Sequence, residues 1–352
     1  MGARLAKKRF AEARKADEAL QRELEAAHLA ESKVQKLLLL GTGESGKTTL
    51  FNQFTLSVTQ GFSDREKKSY AENIQKNVVD YLVELCRAAQ SRGIEFDEKS
   101  REFAEELEQA RIKSRFCYEI PDFAEKSLLF WNQESIQELW KQRSTIQVPE
   151  CLEYFMFRLE DLIKQSFDPL DKDILMLRDR TTGMIERDLK IGNHVFRLID
   201  VGGQRCERKK WVKYFSGVSA VLFTVAISEY DQMVWEDPTT NRVHEALKLF
   251  KEIALNEAFS KSAIIMFLNK EDLFKEKLPL VPLNVCFPEY TGSSEFEQAS
   301  AFVKEKFLSE LPKDLNVFVF FTCATDGSKS KTLFSAIRKT VLKNMMASDD
   351  LT

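Results

Sequence analysis

The sequence predicts an α/β fold, a mostly parallel sheet wrapped by helices and interrupted soon after its first strand by an all-helical insertion. Three observations lead there. Short apolar runs recur at "LLLL" (37–40), "HVFRLID", "AVLFTVAI", "AIIMFLN" and "VFVFFTCA", separated from 184 onward by helical segments such as "NRVHEALKLFKEIA". Residues 64–166 carry helical patterns such as "YAENIQKNVVDYLVELCRAA" and little that alternates as a strand. The first apolar run precedes this block and the others follow it, so the helices are inserted within one α/β unit, with connections near 57–64 and at "FDPLDKD" (167–173).

Taken in chain order, residues 4–35 hold no Gly or Pro and are rich in Ala, Glu, Lys, Arg and Leu, which predicts one long helix. Its apolar stripe (Phe10, Ala13, Leu20, Leu24, Ala27, Val34) is too thin to build a core and suits a partner-binding arm. Arg4, Lys7, Lys8, Arg9, Arg14 and Lys15 crowd its start against Glu12, an excess that could meet an anionic membrane surface or simply be a solvated helix end. Leu37 to Leu40 then read as a strand buried on both faces.

The strand runs into a loop. Gly41, Gly46, Lys47 and Thr48 fit G-x-x-x-x-G-K-[ST], in which backbone N–H groups close around phosphate oxygens, the lysine neutralises them and the hydroxyl holds Mg²⁺. The helix that follows turns its positive end to the same anion. In "IDVGGQRCERKKW" (199–211), Asp200 ends a strand where it can hold Mg²⁺, and Gly202 and Gly203 let a backbone amide approach a terminal phosphate. In "FLNKEDLF" (267–274), Asn269 can bond the keto side of a base and Asp272 can accept from a ring N–H and an exocyclic amine. Guanine presents that donor pair and adenine does not. Lys270 would lay its stem along the base plane, and "TCATD" (322–326) would border its edge with Cys323, Ala324 and Thr325. "LRDRTTGMIE" (177–186) offers Thr181 for Mg²⁺ and an arginine for transition-state charge; spacing alone leaves Arg178 and Arg180 as alternatives.

Composition bounds the setting. With 352 residues and 43% apolar side chains the chain can bury sizeable cores. No apolar run reaches the roughly 18 residues of a membrane span, and "MGARLAKKRF" lacks the apolar centre of a secretory signal, so a cytosolic protein is expected. Six scattered cysteines without C-x-x-C pairs predict reduced thiols, with neither a disulfide framework nor a zinc site.

"GTGESGKTT", "RDRTTG", "DVGGQRCERKKW", "FLNKEDLF" and "TCATD" occur in the order and spacing of heterotrimeric G-protein α subunits, and with "NRVHEALKLF" and "CFPEYTGS" the chain resembles that family over essentially its whole length. The resemblance implies a Ras-like P-loop GTPase domain with a mostly parallel six-stranded sheet (36–60 and 174–352), an inserted all-α domain (61–173) and an N-terminal helix (1–35). It implies a GTP-hydrolysing switch with GTP/GDP and Mg²⁺ as ligands. Arg178 and Gln204 become the catalytic pair, Thr48, Thr181 and Asp200 the metal set, and Gly43, Glu44, Ser45, Gly46, Lys47, Thr48, Thr49, Leu177, Arg178 and Gly203 the phosphate surroundings. Glu150, where the family usually has Asp, is expected to pair with Lys270 across the two domains. Implied partners are a βγ dimer on the Leu20 region and Arg205–Trp211, a receptor or other exchange factor, an effector and a GTPase-activating RGS-type protein. The implied location is the cytoplasmic face of the membrane, peripherally; no nucleic acid is expected. Gly2 is present, but Ala6 stands where the myristoylation pattern wants Ser or Thr and Ala3 where many relatives carry a palmitoylated cysteine, which leaves lipid anchoring open. The alternative weighed against the switch is a nucleotide-binding protein of the same fold with weak hydrolysis or spontaneous exchange. A phosphate-loop ATPase or kinase is disfavoured by Asn269 and Asp272.

Overall fold

The computed structural model describes residues 34–59, 61–146, 148–328 and 330–349. The expected arm, its basic head, Leu20, Gly2, Ala3 and Ala6 lie outside the described residues. At the arm's end there is a correction: Val34 and Gln35, read as its last helical turn, are strand residues. They pair with Val195 and Phe196 on a neighbouring strand, a long-range partner that helix propensity cannot register.

The chain enters through β1 (Val34–Gly41), followed by α1 (Lys47–Val58). Helices α2 (Asp64–Ser91), α3 (Glu98–Ile112), α4 (Phe123–Trp131), α5 (Glu134–Lys141), α6 (Leu152–Met156), α7 (Leu159–Leu162) and α8 (Asp171–Met176) come next. The last of them starts inside "FDPLDKD", read from sequence as a connection. There follow β2 (Met184–Ile191), β3 (His194–Val201), α9 (Arg205–Arg208) and β4 (Val218–Ala226). The two-stranded hairpin β5 (Met233–Val234) and β6 (Asp237–Asn241) leads into α10 (Arg242–Ala254). Then come β7 (Ala263–Asn269), α11 (Glu271–Lys277), α12 (Phe296–Ser309), β8 (Val317–Thr322) and α13 (Ser330–Asp349).

Six strands form one sheet in the order β2-β3-β1-β4-β7-β8. All neighbours are parallel except β2, which runs antiparallel to β3 at the edge. The four leucines explain the centre. Leu38 and Leu40 pack with Val221, Phe223 and Phe250 on one face, Leu37 and Leu39 with Phe54, Phe196 and Ile337 on the other, and all four are fully buried. Successive strand side chains point to opposite faces, so an unbroken apolar run serves two cores at once. Because β3 and β4 flank β1 on opposite sides, the chain reverses its direction of winding at the end of β1, where α/β sheets place their ligand crevice.

The helices of the insertion share a separate core, built on α2 and including Phe103, Trp131, Trp140, Leu152 and Phe155. At the start of the 28-residue α2 the Ser63 hydroxyl accepts from Glu66 N, while the Glu66 carboxylate accepts from Ser63 N at 2.8 Å; this reciprocal cap occupies two otherwise orphaned donors. The return to the sheet is fixed by Asp173, fully buried at the start of α8. Its carboxylate accepts from Tyr154 Oη at 2.6 Å, from the backbone of Leu170 at 2.8 Å and from Arg158 at 3.2 Å. Asp173→Ala strips all three of an acceptor and is expected to lower the unfolding free energy by about 3 kcal/mol. Urea titration followed by circular dichroism measures it, and a loss below about 1 kcal/mol would show that water replaces the carboxylate.

Candidate functional site

The carboxyl ends of the parallel strands open on one side of the sheet into a cavity of about 890 Å³, closed on the far side by residues of the helical insertion. The phosphate-loop wall is Gly43, Glu44, Gly46, Lys47, Thr48 and Thr49. Facing it are Leu177, Arg178, Thr181, Gly203 and Gln204, and the third wall is Asn269, Lys270, Asp272, Cys323, Ala324 and Thr325. Glu150 and Cys151 come from the insertion. Of the residues singled out from sequence for the site, Gly41, Ser45, Asp200 and Gly202 stand behind this lining, all four buried.

The loop's shape depends on two close approaches. Gly46 has φ +92°, and a Cβ there would fall 2.2 Å from Asn269 Nδ2; a Cβ on Gly203 would fall 2.2 Å from Lys47 Nζ and 2.5 Å from the Thr42 carbonyl. Only glycine fits either place. Lys47 Nζ donates to the Thr42 carbonyl at 2.7 Å and the Gly41 carbonyl at 3.2 Å. Burial lowers it to about 8, against the opposing pull of the Asp200 carboxylate, so a second anion nearby would favour its charged form.

Thr48, Thr181 and Asp200 meet although 133 and 152 residues separate Thr48 from the other two. Thr48 Oγ1 donates to Asp200 Oδ2 at 2.6 Å and lies 2.7 Å from Thr181 Oγ1, which makes Thr181 the donor in that second bond. The other Asp200 oxygen, Oδ1, is buried with no hydrogen-bond partner. Burial raises the carboxyl, with Lys47 and Thr48 pulling the other way. Two hydroxyls and a carboxylate with a spare oxygen fit a small hard cation such as Mg²⁺, which takes oxygen ligands and keeps several waters. Among the described residues no group of three or more His, Cys, Asp or Glu side chains could hold a metal by itself.

The arginine alternatives separate in space. Arg178 forms an ion pair with Glu44, while the Arg180 guanidinium lies over the Trp235 ring, 6.0 Å from its centroid. Glu44, in the left-handed region at φ +66°, is also bound by Arg242 at 2.7 Å. Burial pushes its carboxyl up, but Arg178 and then Arg242 outweigh it and hold Glu44 at about 2. Arg242 continues to buried Glu229 at 3.1 Å, Glu229 to Lys270 at 2.6 Å, and Lys270 to Glu150 at 3.6 Å. Burial would depress the Lys270 ammonium, and Glu229 and Glu150 reverse that and raise it. The Glu150 carboxyl, pushed up by burial, is brought below its usual range chiefly by Lys270. The expected Glu150–Lys270 contact is present, as the outer link of this chain of charges.

Asn269 makes bonds that the sequence did not disclose. Its Nδ2 donates to the Ser45 carbonyl at 3.0 Å, and its Oδ1 accepts from Thr322 Oγ1 and Ala324 N, both at 3.1 Å. The amide therefore ties the phosphate loop to the base-side wall, leaving one Nδ2 hydrogen for a ligand. Gln204 packs over Gly43, where a Cβ would meet its Cγ at 3.5 Å. The following loop is held by Arg208, whose Nε donates to the Gly203 carbonyl at 3.0 Å and whose guanidinium pairs with Glu245 at 2.8 Å, and by Trp211 Nε1 to the Gly202 carbonyl at 2.8 Å.

Sequence reasoning missed Glu229, Arg242, Asn77 and Tyr81. Glu229 carried a faint signal, an acid two positions after the apolar run "AVLFTVAI" ends; the other three lie on helix faces whose pattern is explained by packing alone. No described helix is long and apolar enough to cross a membrane.

Comparison with known proteins gives the family. A family model described as "G-protein alpha subunit" matches residues 13–341. The guanine nucleotide-binding protein G(o) subunit alpha of Caenorhabditis elegans is 39% identical over 318 residues, 88% of each chain. The proteins of the same description from Locusta migratoria and Lymnaea stagnalis are 37% and 36% identical over 92% and 93% of this chain, in each case covering 93% of the relative. A match of that length takes in the sheet, the insertion and every wall of the cavity alike, and the chain belongs to the G-protein alpha subunit family.

Proposed function

We propose that this chain, by family a GTP-binding and GTP-hydrolysing switch of heterotrimeric G-protein signalling, performs its chemistry in the cleft between sheet edge and helical insertion with the residues that line it. The observation that carries this reading is the convergence of Lys47, Thr48, Arg178, Thr181 and Gln204 on one cavity whose other end holds Asn269, Lys270 and Asp272.

The loop Gly43–Thr49 presents backbone N–H groups to the phosphates and Lys47 neutralises them. Thr48, Thr181 and Asp200 would hold Mg²⁺, which supplies charge neutralisation on the phosphate oxygens. Gln204 orients the attacking water, and Arg178 exchanges Glu44 for phosphate oxygens as charge develops there. Asp272 accepts from the guanine ring N–H and amine, the remaining Nδ2 hydrogen of Asn269 meets the base, Lys270 lies along it, and Cys323, Ala324 and Thr325 border its edge. No covalent intermediate is required. With GDP, the loop after Gly203 loses its phosphate contact and rearranges, so that Arg205–Trp211 binds βγ; with GTP it binds an effector. Release of GDP requires the insertion to swing away, which an exchange factor such as a receptor promotes, and an RGS-type protein would speed hydrolysis. The site of action is the cytoplasmic face of the membrane, held peripherally.

A second reading, weak hydrolysis in the same fold, draws on the Arg178–Glu44 ion pair, since that pair must break before Arg178 can serve the reaction.

Single-turnover release of γ-phosphate from GTP decides between them, with ATP as control. Release from GTP only, lowered about 10²-fold by Gln204→Leu, is the expected outcome; tight GTP binding without release selects the second reading, and equal release from ATP overturns the guanine site. Glu150→Ala removes a partly buried partner of Lys270 and is expected to speed GDP dissociation about 5-fold, the equivalent of about 1 kcal/mol. Fluorescent GDP chased by excess unlabelled nucleotide measures this rate, and an unchanged value would mean that Glu229 alone satisfies Lys270.

A further inference from the structure

Arg178 is gripped by its main chain as well as by its side chain. Asn77 and Tyr81, one turn apart on the same face of α2, both reach its backbone carbonyl: Tyr81 Oη donates at 2.5 Å and Asn77 Nδ2 at 3.3 Å. The Cys151 thiol adjoins both the Tyr81 hydroxyl and the Arg178 backbone. All three side chains belong to the insertion, whereas the guanidinium they serve reaches Glu44 on the phosphate loop. Tyr81 is the strongest of the three. Its ring is 6% exposed in the insertion's core, against Phe155, so the hydroxyl is delivered from a fixed frame rather than from a mobile surface side chain. Burial raises the phenol far above its usual range, and it stays a donor at any working pH.

Resting on the assignment of Arg178 as the catalytic arginine, we propose that Tyr81 is a positioning residue for GTP hydrolysis, holding the Arg178 main chain so that its guanidinium is delivered at the phosphate end of the cleft. One short bond to a carbonyl fixes where the side chain starts, and a shift of about 1 Å in a transition-state contact is felt steeply in rate. The geometry also couples two events. When the insertion departs to release nucleotide it takes Tyr81, Asn77 and Cys151 with it, and Arg178 loses its backbone support in the same motion.

The test is a double-mutant cycle on the full chain, read as the single-turnover rate at saturating GTP with GTP affinity measured alongside. Tyr81→Phe keeps the ring and removes the donor; it is expected to slow hydrolysis about 3- to 10-fold, the worth of one such bond, with GTP affinity changed less than 2-fold. In an Arg178→Ala background the same substitution is expected to have no further effect, because Tyr81 acts only through Arg178. Gln75→Ala serves as the control for simple loosening of α2, since Gln75 Nε2 donates only within the insertion, to the carbonyls of Leu162 and Lys164, and is expected to keep the wild-type rate. An undiminished rate in Tyr81→Phe, an equal slowing in the Arg178→Ala background, or an equal slowing by Gln75→Ala overturns the role of Tyr81 while the assignment of Arg178 stands. A normal rate in Arg178→Ala alone overturns that assignment, and the role of Tyr81 with it.

Discussion

Strand β1 is hydrogen-bonded on both sides and covered on both faces, and everything at the site hangs from its end. A central parallel strand must have β3 on one side and β4 on the other, so the loops leaving β1, β3, β4, β7 and β8 all rise on the same edge of the sheet. That is why Gly41, Asp200, Asn269 and Thr322, separated by up to 281 positions of sequence, come together at the strand ends beneath one cleft. The leucines give the strand its two cores, and the two cores give the loop a platform packed on both faces. On that platform a lysine can be kept dehydrated against backbone carbonyls, ready for a second anion beside the Asp200 carboxylate.

The second organising element is Glu44. A carboxylate clamped by two guanidiniums is an inexpensive way to store a positive charge beside a phosphate site. It also makes the phosphate loop the meeting point of the return segment, α10 and, through Glu229 and Lys270, the insertion. The charges alternate from Arg178 to Glu150 without two like signs in contact, so each buried ion has its counterion and the cleft is closed by electrostatics where apolar contact would shut out a polar ligand.

Much of this was legible in the sequence because the site is built from short segments whose residue types follow from their task. Lys47 with Thr48, Asp200 with Gly203, and Asn269 with Asp272 each sit within a few positions of a strand end, where local pattern and chemistry coincide. What was not legible is whatever depends on a distant partner. Val34 and Gln35 read as helix because their strand neighbour is 161 residues away. The antiparallel β2 was invisible because "MIERDLKI" is too polar to alternate clearly. Glu229 and Arg242 disclose their role only when each is seen beside Glu44 or Lys270, and the bonds by which Asn269 ties two loops together appear only once Ser45, Thr322 and Ala324 are seen around it. The choice between Arg178 and Arg180 needed the family resemblance, since one residue of spacing decides nothing until the loop has a path.

The polar edge strand has a use of its own. A sheet that ended on β3 would offer an apolar strand with free backbone donors and acceptors to any neighbouring chain. β2 covers that edge and then presents Glu186, Arg187, Asp188 and Lys190 outward along its length, with Asp188 locked to Arg197 on β3 at 2.7 Å and Arg187 paired to the cap of α2 through Glu66. A second molecule adding a strand there would have to dehydrate a row of charges, two of them already paired. The same eight residues that bring the chain home from its long excursion thus keep the sheet from growing into its neighbours, so that one strand serves both as the return path and as the guard of the edge.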